Sequence, residues 1–121
     1  MTMGVENEVP SFAWRNSQKH GAQVARAALP YLFNQVDNGV NCPLTMTYAV
    51  VPALLHQKSD VSEWLEKIVA PYYDPRDVPI SEKKGIIMGM SMTVRWASAF
   101  THHIEFNDII LVFRKNKAVL M

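Results

Sequence analysis

The chain has 121 residues, 49% of them hydrophobic and 19% charged, the composition of one small globular domain and not of a disordered tail. Its net charge of +1 argues against a basic face built for nucleic acid, an anionic membrane or an acidic substrate. The single cysteine, Cys42, excludes an internal disulfide and fits a reducing compartment.

No apolar run approaches the roughly 18 residues that a membrane span needs. The opening MTMGVENEVP is acidic, unlike a signal peptide or a basic transit peptide. The cytosol is therefore the expected compartment, with a mitochondrial one left open.

Residues 1–11 show no periodicity and are expected to be a disordered N-terminus. Residues 12–84 are expected to form a helical domain. From Phe12 to Asp37 apolar residues recur at helical spacing, with Val24, Ala28, Leu32 and Val36 on one stripe. Pro30 predicts a kink or break in this segment, and Gly39 a C-terminal cap. Asn41 is the expected N-cap of a second helix, with Pro43 in its first turn. That helix runs through Leu44, Tyr48, Val51, Leu54 and Leu55, kinks near Pro52, and is apolar almost all round, which predicts burial on several sides.

Asp60 and Glu63 have capping-box spacing ahead of Trp64, Leu65, Ile68 and Val69, the start of a third helix. Residues 70–84 hold three prolines and read as an ordered surface connection. From Gly85 to Thr93 the period changes to that of a strand. Ile86, Met88, Met90 and Met92 point one way, and Ile87, Gly89, Ser91 and Thr93 the other. In the tail, Ile109–Phe113 and Ala118–Met121 flank a polar turn and predict a hairpin, which is marginal without a sheet to join. Residues 1–93 carry 8 Lys/Arg against 9 Asp/Glu, and residues 94–121 carry 4 against 2, so the charge changes sign where the pattern changes.

The reactive side chains give weak signals. His102 and His103 are adjacent and face opposite sides of a strand, while His20 and His56 are isolated, so no zinc-like spacing exists and no metal site is expected. Cys42 falls near a helix start, where the dipole lowers a thiol pKa, but a small buried residue in the NCP turn is the simpler reading. The pairs Asp74/Asp77 and Glu63/Glu66 read as solvated surface. Arg114, Lys115 and Lys117 read as a solubilising turn, and nucleic acid is not an expected partner.

Several stretches together resemble the acyl-CoA dehydrogenase family, and most closely its AidB-like branch. They are FAW at Phe12–Trp14, VARAA at Val24–Ala28, NCPLTMTYAVVPALL at Asn41–Leu55, Trp64, YDPR at Tyr73–Arg76, and KKGIIMGMSMT at Lys84–Thr93. The likeness covers about residues 9–93.

It implies an α+β fold, mainly α-helical: a partial N-terminal helical domain over 12–84, then at 85–93 the first strand of the FAD-contacting β-domain. A divergent tail follows at 94–121. It places residue 1 partway into the family's helical domain. It also implies FAD-dependent α,β-dehydrogenation of acyl-CoA thioesters in the intact family, with flavin contacts at Met90, Ser91, Met92 and Thr93. After Thr93 the family's acidic residue and glycine-rich turn are replaced by VRWASAFTHH.

No catalytic residue is expected within this chain, and FAD occupancy is not expected from one strand. The alternative expectation is a helical interaction module that docks a full-length homologous subunit.

Overall fold

The computed structural model describes residues 1–56 and 60–89 in full, and the backbone alone of 90, 102–106, 109–114 and 117–120. These residues are mainly helical: α1 (Thr2–Glu6), α2 (Phe12–Arg15), α3 (Ala22–Phe33), α4 (Asn41–Leu55) and α5 (Ser62–Val69), followed by a 3-10 turn at Ile80–Glu82. Extended backbone forms β1 (Gly89–Met90), β2 (His102–Phe106), β3 (Ile109–Arg114) and β4 (Lys117–Leu120), in the sheet order β1-β4-β3-β2. β4 runs parallel to β1 and antiparallel to β3.

Helix α4 is the element that everything else covers. At its N-terminal end Leu44 is fully buried with Val5 and Val9, and Leu29, Phe33, Tyr73 and Ile87 pack around them. Along its C-terminal half Val50, Val51 and Leu54 form a second cluster with Ile68 and Met88, flanked by Trp14, Trp64 and Leu65. The predicted all-round apolarity of α4 is met in this way, one end in each cluster.

The first eleven residues depart from expectation. They form α1, and Val5 and Val9 are each only 3% exposed. The segment is too short to show a helical period, yet it closes the lower cluster. Gly4 makes this approach feasible: a Cβ there would lie 2.6 Å from Leu44 Cδ1.

Helix α3 departs in three ways. It starts only at Ala22, after a break at residues 16–21. It then continues through Pro30 to Phe33 instead of breaking there. A proline inside a helix removes one backbone bond and strains the preceding turn, which this helix tolerates. Its end is not capped by Gly39; the chain leaves through turns at Asn34–Val36, and the Gly39 amide donates to Asp37 Oδ1 at 2.9 Å.

The predicted stripe also lies outward, not inward. Val24 is 76%, Leu32 63% and Val36 81% exposed, while Ala22, Leu29 and Phe33 face the protein. The helix is apolar on both sides, so periodicity alone selected the wrong one.

Helix α4 begins at Asn41 rather than being capped by it; the preceding Val40 holds the cap position with no side-chain bond. At α5 the Ser62 amide donates to Asp60 Oδ1 at 3.0 Å, but the cap position falls on Val61, one residue after the expected Asp60. Glu63 does not complete the box, because it pairs with Lys67 one turn on, at 2.9 Å.

Candidate functional site

The segment from Gly85 to Met90 is threaded between the two clusters. The Ile86 amide donates to Lys67 O at 3.1 Å, at the end of α5. The Met88 amide, buried, donates to Thr47 Oγ1 at 2.9 Å, and that hydroxyl itself donates to Pro43 O at 2.7 Å. A threonine hydroxyl can do both at once, and so joins one turn of α4 to the extended chain. Met88 is 1% exposed and lies in the upper cluster; Ile86 packs on the same cluster, whereas Ile87 points to the lower one. Side chains over Ile86–Met88 therefore alternate as the period of two predicts, but the second face is apolar at Ile87 rather than small and polar.

Gly85 fixes where this segment starts. A Cβ there would lie 2.1 Å from the Tyr72 carbonyl oxygen, so the chains can pass only if residue 85 has no side chain. Gly89 is the opposite case: a Cβ there would meet nothing within 4 Å. Among the described residues the backbone at Gly89 borders open space.

Two further groups hold the platform. Pro52 lacks the amide hydrogen that would bond Tyr48 O one turn back. The indole of Trp14 takes its place, donating from Nε1 to Tyr48 O at 2.9 Å and stacking on the Tyr48 ring with centroids 5.0 Å apart.

Beneath the connection, Asp74 accepts from Arg76 Nη2 at 2.7 Å, from Arg76 Nε at 2.9 Å and from the Lys84 amide at 3.1 Å. Its side chain is 6% exposed. These donors, Arg76 first, hold its carboxyl far below the usual carboxylate range. Asp74 is thus a clasp that delivers Lys84 and Gly85, not solvated surface. Asp77 is exposed and plays no part in it.

Of the four positions expected to contact flavin, Met90 is described as backbone, paired with Leu120 across β1 and β4. Ser91, Met92 and Thr93 lie outside the described residues. So do the side chains of His102, His103 and Arg114, and the whole of Lys115. Cys42 is exposed, not the small buried residue expected. Among the described residues no group of three His, Cys, Asp or Glu side chains is placed to hold a metal. No helix among them is long and apolar enough to cross a membrane.

Thr47, Trp14 and Asp74 hold this segment and α4 in place, a role that the sequence reading assigned to none of them. One signal for each was present: a threonine inside an apolar helix, a tryptophan ahead of a proline-containing helix, and an Asp-Pro-Arg turn.

Comparison with known proteins adds an independent line. A family model described as the adaptive response protein AidB N-terminal domain matches residues 1–75, including the first eleven residues. Among curated proteins, the putative acyl-CoA dehydrogenase AidB of Escherichia coli (strain K12) is 39% identical over 88 residues. That alignment covers 72% of this chain and 16% of the relative, so the chain spans under a fifth of that protein's length.

Proposed function

Because the chain belongs to the AidB N-terminal domain family, we propose that it is the helical platform of an acyl-CoA dehydrogenase-like flavoprotein, carrying the first cofactor strand without the catalytic apparatus. The identity of 39% over 88 residues carries this reading. In it, Met90, Ser91, Met92 and Thr93 hold one face of the flavin ring. The open space beside Gly89 is consistent with a ring approaching there, and bound FAD would supply hydride acceptance from an acyl-CoA thioester.

The family's strand, its β-domain and the tail hairpin belong to this proposal. So does the description of residues 94–121 as a divergent tail. One strand does not enclose a dinucleotide, since affinity depends on burying most of a ligand's surface. The chain alone is therefore expected to lack dehydrogenase activity. Purified protein with stoichiometric flavin absorbance and acyl-CoA turnover would refute that expectation. Genomic sequence continuing in frame past the Thr93 codon into an acidic residue and a glycine-rich turn would show where the tail departs.

A second reading is favoured by the outward face of α3. Val24, Tyr31 and Leu32 are 63–76% exposed on one side of a helix whose other side is already packed, and Val36, in the turn just beyond its end, is 81% exposed. A contiguous apolar face of this kind marks an interaction surface. A full-length homologous subunit is its proposed partner, and co-purification of the two chains is the test.

A further inference from the structure

On the inward side of α3, Arg26 lies with its guanidinium carbon 3.7 Å from the centroid of the Tyr48 ring. Trp14 stacks on the same ring at 5.0 Å. Two groups so close to one ring must take opposite faces, so Tyr48 is clamped between an indole and a guanidinium. Tyr48 Oη donates to Gln23 Oε1 at 2.7 Å, which turns the Gln23 amide so that its nitrogen keeps both hydrogens. Gln23 and Arg26 are three residues apart on one helix and therefore neighbours on its surface.

The guanidinium has no counter-charge among the described residues. Its Nε is buried without a hydrogen-bond acceptor. The ion pairs among the described residues join Arg15 to Glu8, Lys67 to Glu63 and Arg76 to Asp74, and none includes Arg26. Arginine cannot escape by losing its proton. The ring face offsets part of the desolvation, but a half-buried cation is stabilised further by an anion. The side chain as a whole is only half-buried, and the Tyr48 ring lies 3.7 Å from its guanidinium carbon.

We propose that Arg26 and Gln23 form an oxyanion site, in which the guanidinium edge and the amide nitrogen together bind a carboxylate or phosphate group. The planar fork of arginine matches both groups. The inference rests on these side chains alone and stands or falls separately from the flavoprotein reading.

The test is a titration of the whole chain, labelled with nitrogen-15, following the Arg26 Nε–H and Trp14 Nε1–H resonances. Arg26→Gln and Trp14→Phe variants assign them. Inorganic phosphate and acetate are added separately, with sodium chloride at matched ionic strength as the control. A saturable shift of both resonances that chloride does not produce supports the site. Saturation by phosphate alone identifies a phosphate-bearing ligand, and saturation by acetate a carboxylate. Arg26→Lys, which keeps the charge but loses the fork, should weaken the binding read at Trp14 Nε1–H alone by about tenfold or more. A linear drift, an equal response to chloride, or saturation that survives in Arg26→Gln means an adventitious ion only and overturns the proposal. Should Arg26→Gln fail to fold, an undiminished response in Arg26→Lys overturns the fork.

Discussion

Thr47 uses one hydroxyl for two bonds, and the second of these is the only side-chain contact made by the Met88 amide among the described residues. Thr47→Val keeps the shape and removes the acceptor. A buried amide left without a partner costs about 1–3 kcal/mol, so the denaturation midpoint should fall by that amount. The Met88 amide should at the same time exchange with solvent faster. Thr47→Ser should restore most of both. A Thr47→Val variant of unchanged stability would show that Met88 finds another acceptor.

Trp14 is a comparable case with a different cause. Its indole hydrogen serves the Tyr48 carbonyl that Pro52 cannot. Trp14→Phe keeps the stack and loses the bond, with an expected cost of about 1 kcal/mol in chemical denaturation. Neither role is visible in hydropathy, because each depends on a residue far away in the chain.

At the scale of elements, the connection between α5 and the extended segment is held by Asp74. Its carboxyl is depressed in the folded protein by Arg76 and the Lys84 amide. A carboxylate with a lowered folded pKa stabilises the fold above its unfolded value of about 3.9, and that contribution is lost as pH falls through the folded value. Stability should therefore decline with acid below about pH 4, and Asp74→Asn should flatten part of that decline while lowering stability at neutral pH. Parallel urea titrations of both proteins at several pH values measure this, and identical pH profiles would remove Asp74 from the account.

Gly85→Ala acts on the same junction. Its Cβ would meet the Tyr72 carbonyl, and forced overpacking of this kind costs roughly 1–3 kcal/mol.

The helices α4 and α5 were legible in the sequence because their apolar spacing agrees with the packing, although each cap falls one residue away from the expected Asn41 and Asp60. Helix α1 was not, since five residues are shorter than the window that reveals a period. The orientation of α3 was not either. With Ala22, Leu29 and Phe33 on one side and Val24, Leu32 and Val36 on the other, the sequence holds two apolar stripes and no rule to rank them. The alternation was legible from Ile86 to Met88, where it meets two real clusters. The clasp at Asp74 was not, because a Pro-rich charged stretch looks the same whether its carboxylate is buried or solvated.

The whole molecule is a two-cluster core around α4 with α3 as an outer layer that has nothing laid on it among the described residues. Placed at the centre of the exposed stripe, Leu32 is 63% exposed and contributes little to the core. Leu32→Asp should therefore change the unfolding free energy by no more than about 0.5 kcal/mol, the usual range for surface positions. Its effect on association should be much larger, because a carboxylate in the middle of an apolar contact is desolvated without a partner.

If a full-length homologous subunit covers this face, the wild-type chain should co-purify with it and Leu32→Asp should not. The two proteins should meanwhile melt at nearly the same temperature. A loss of stability near that of a core truncation, about 2–5 kcal/mol, would place Leu32 inside the fold of the isolated chain and exclude α3 as the docking face. Unchanged co-purification with unchanged stability would move the contact elsewhere, and the exposed Leu55 at the end of α4 would be the next position to charge.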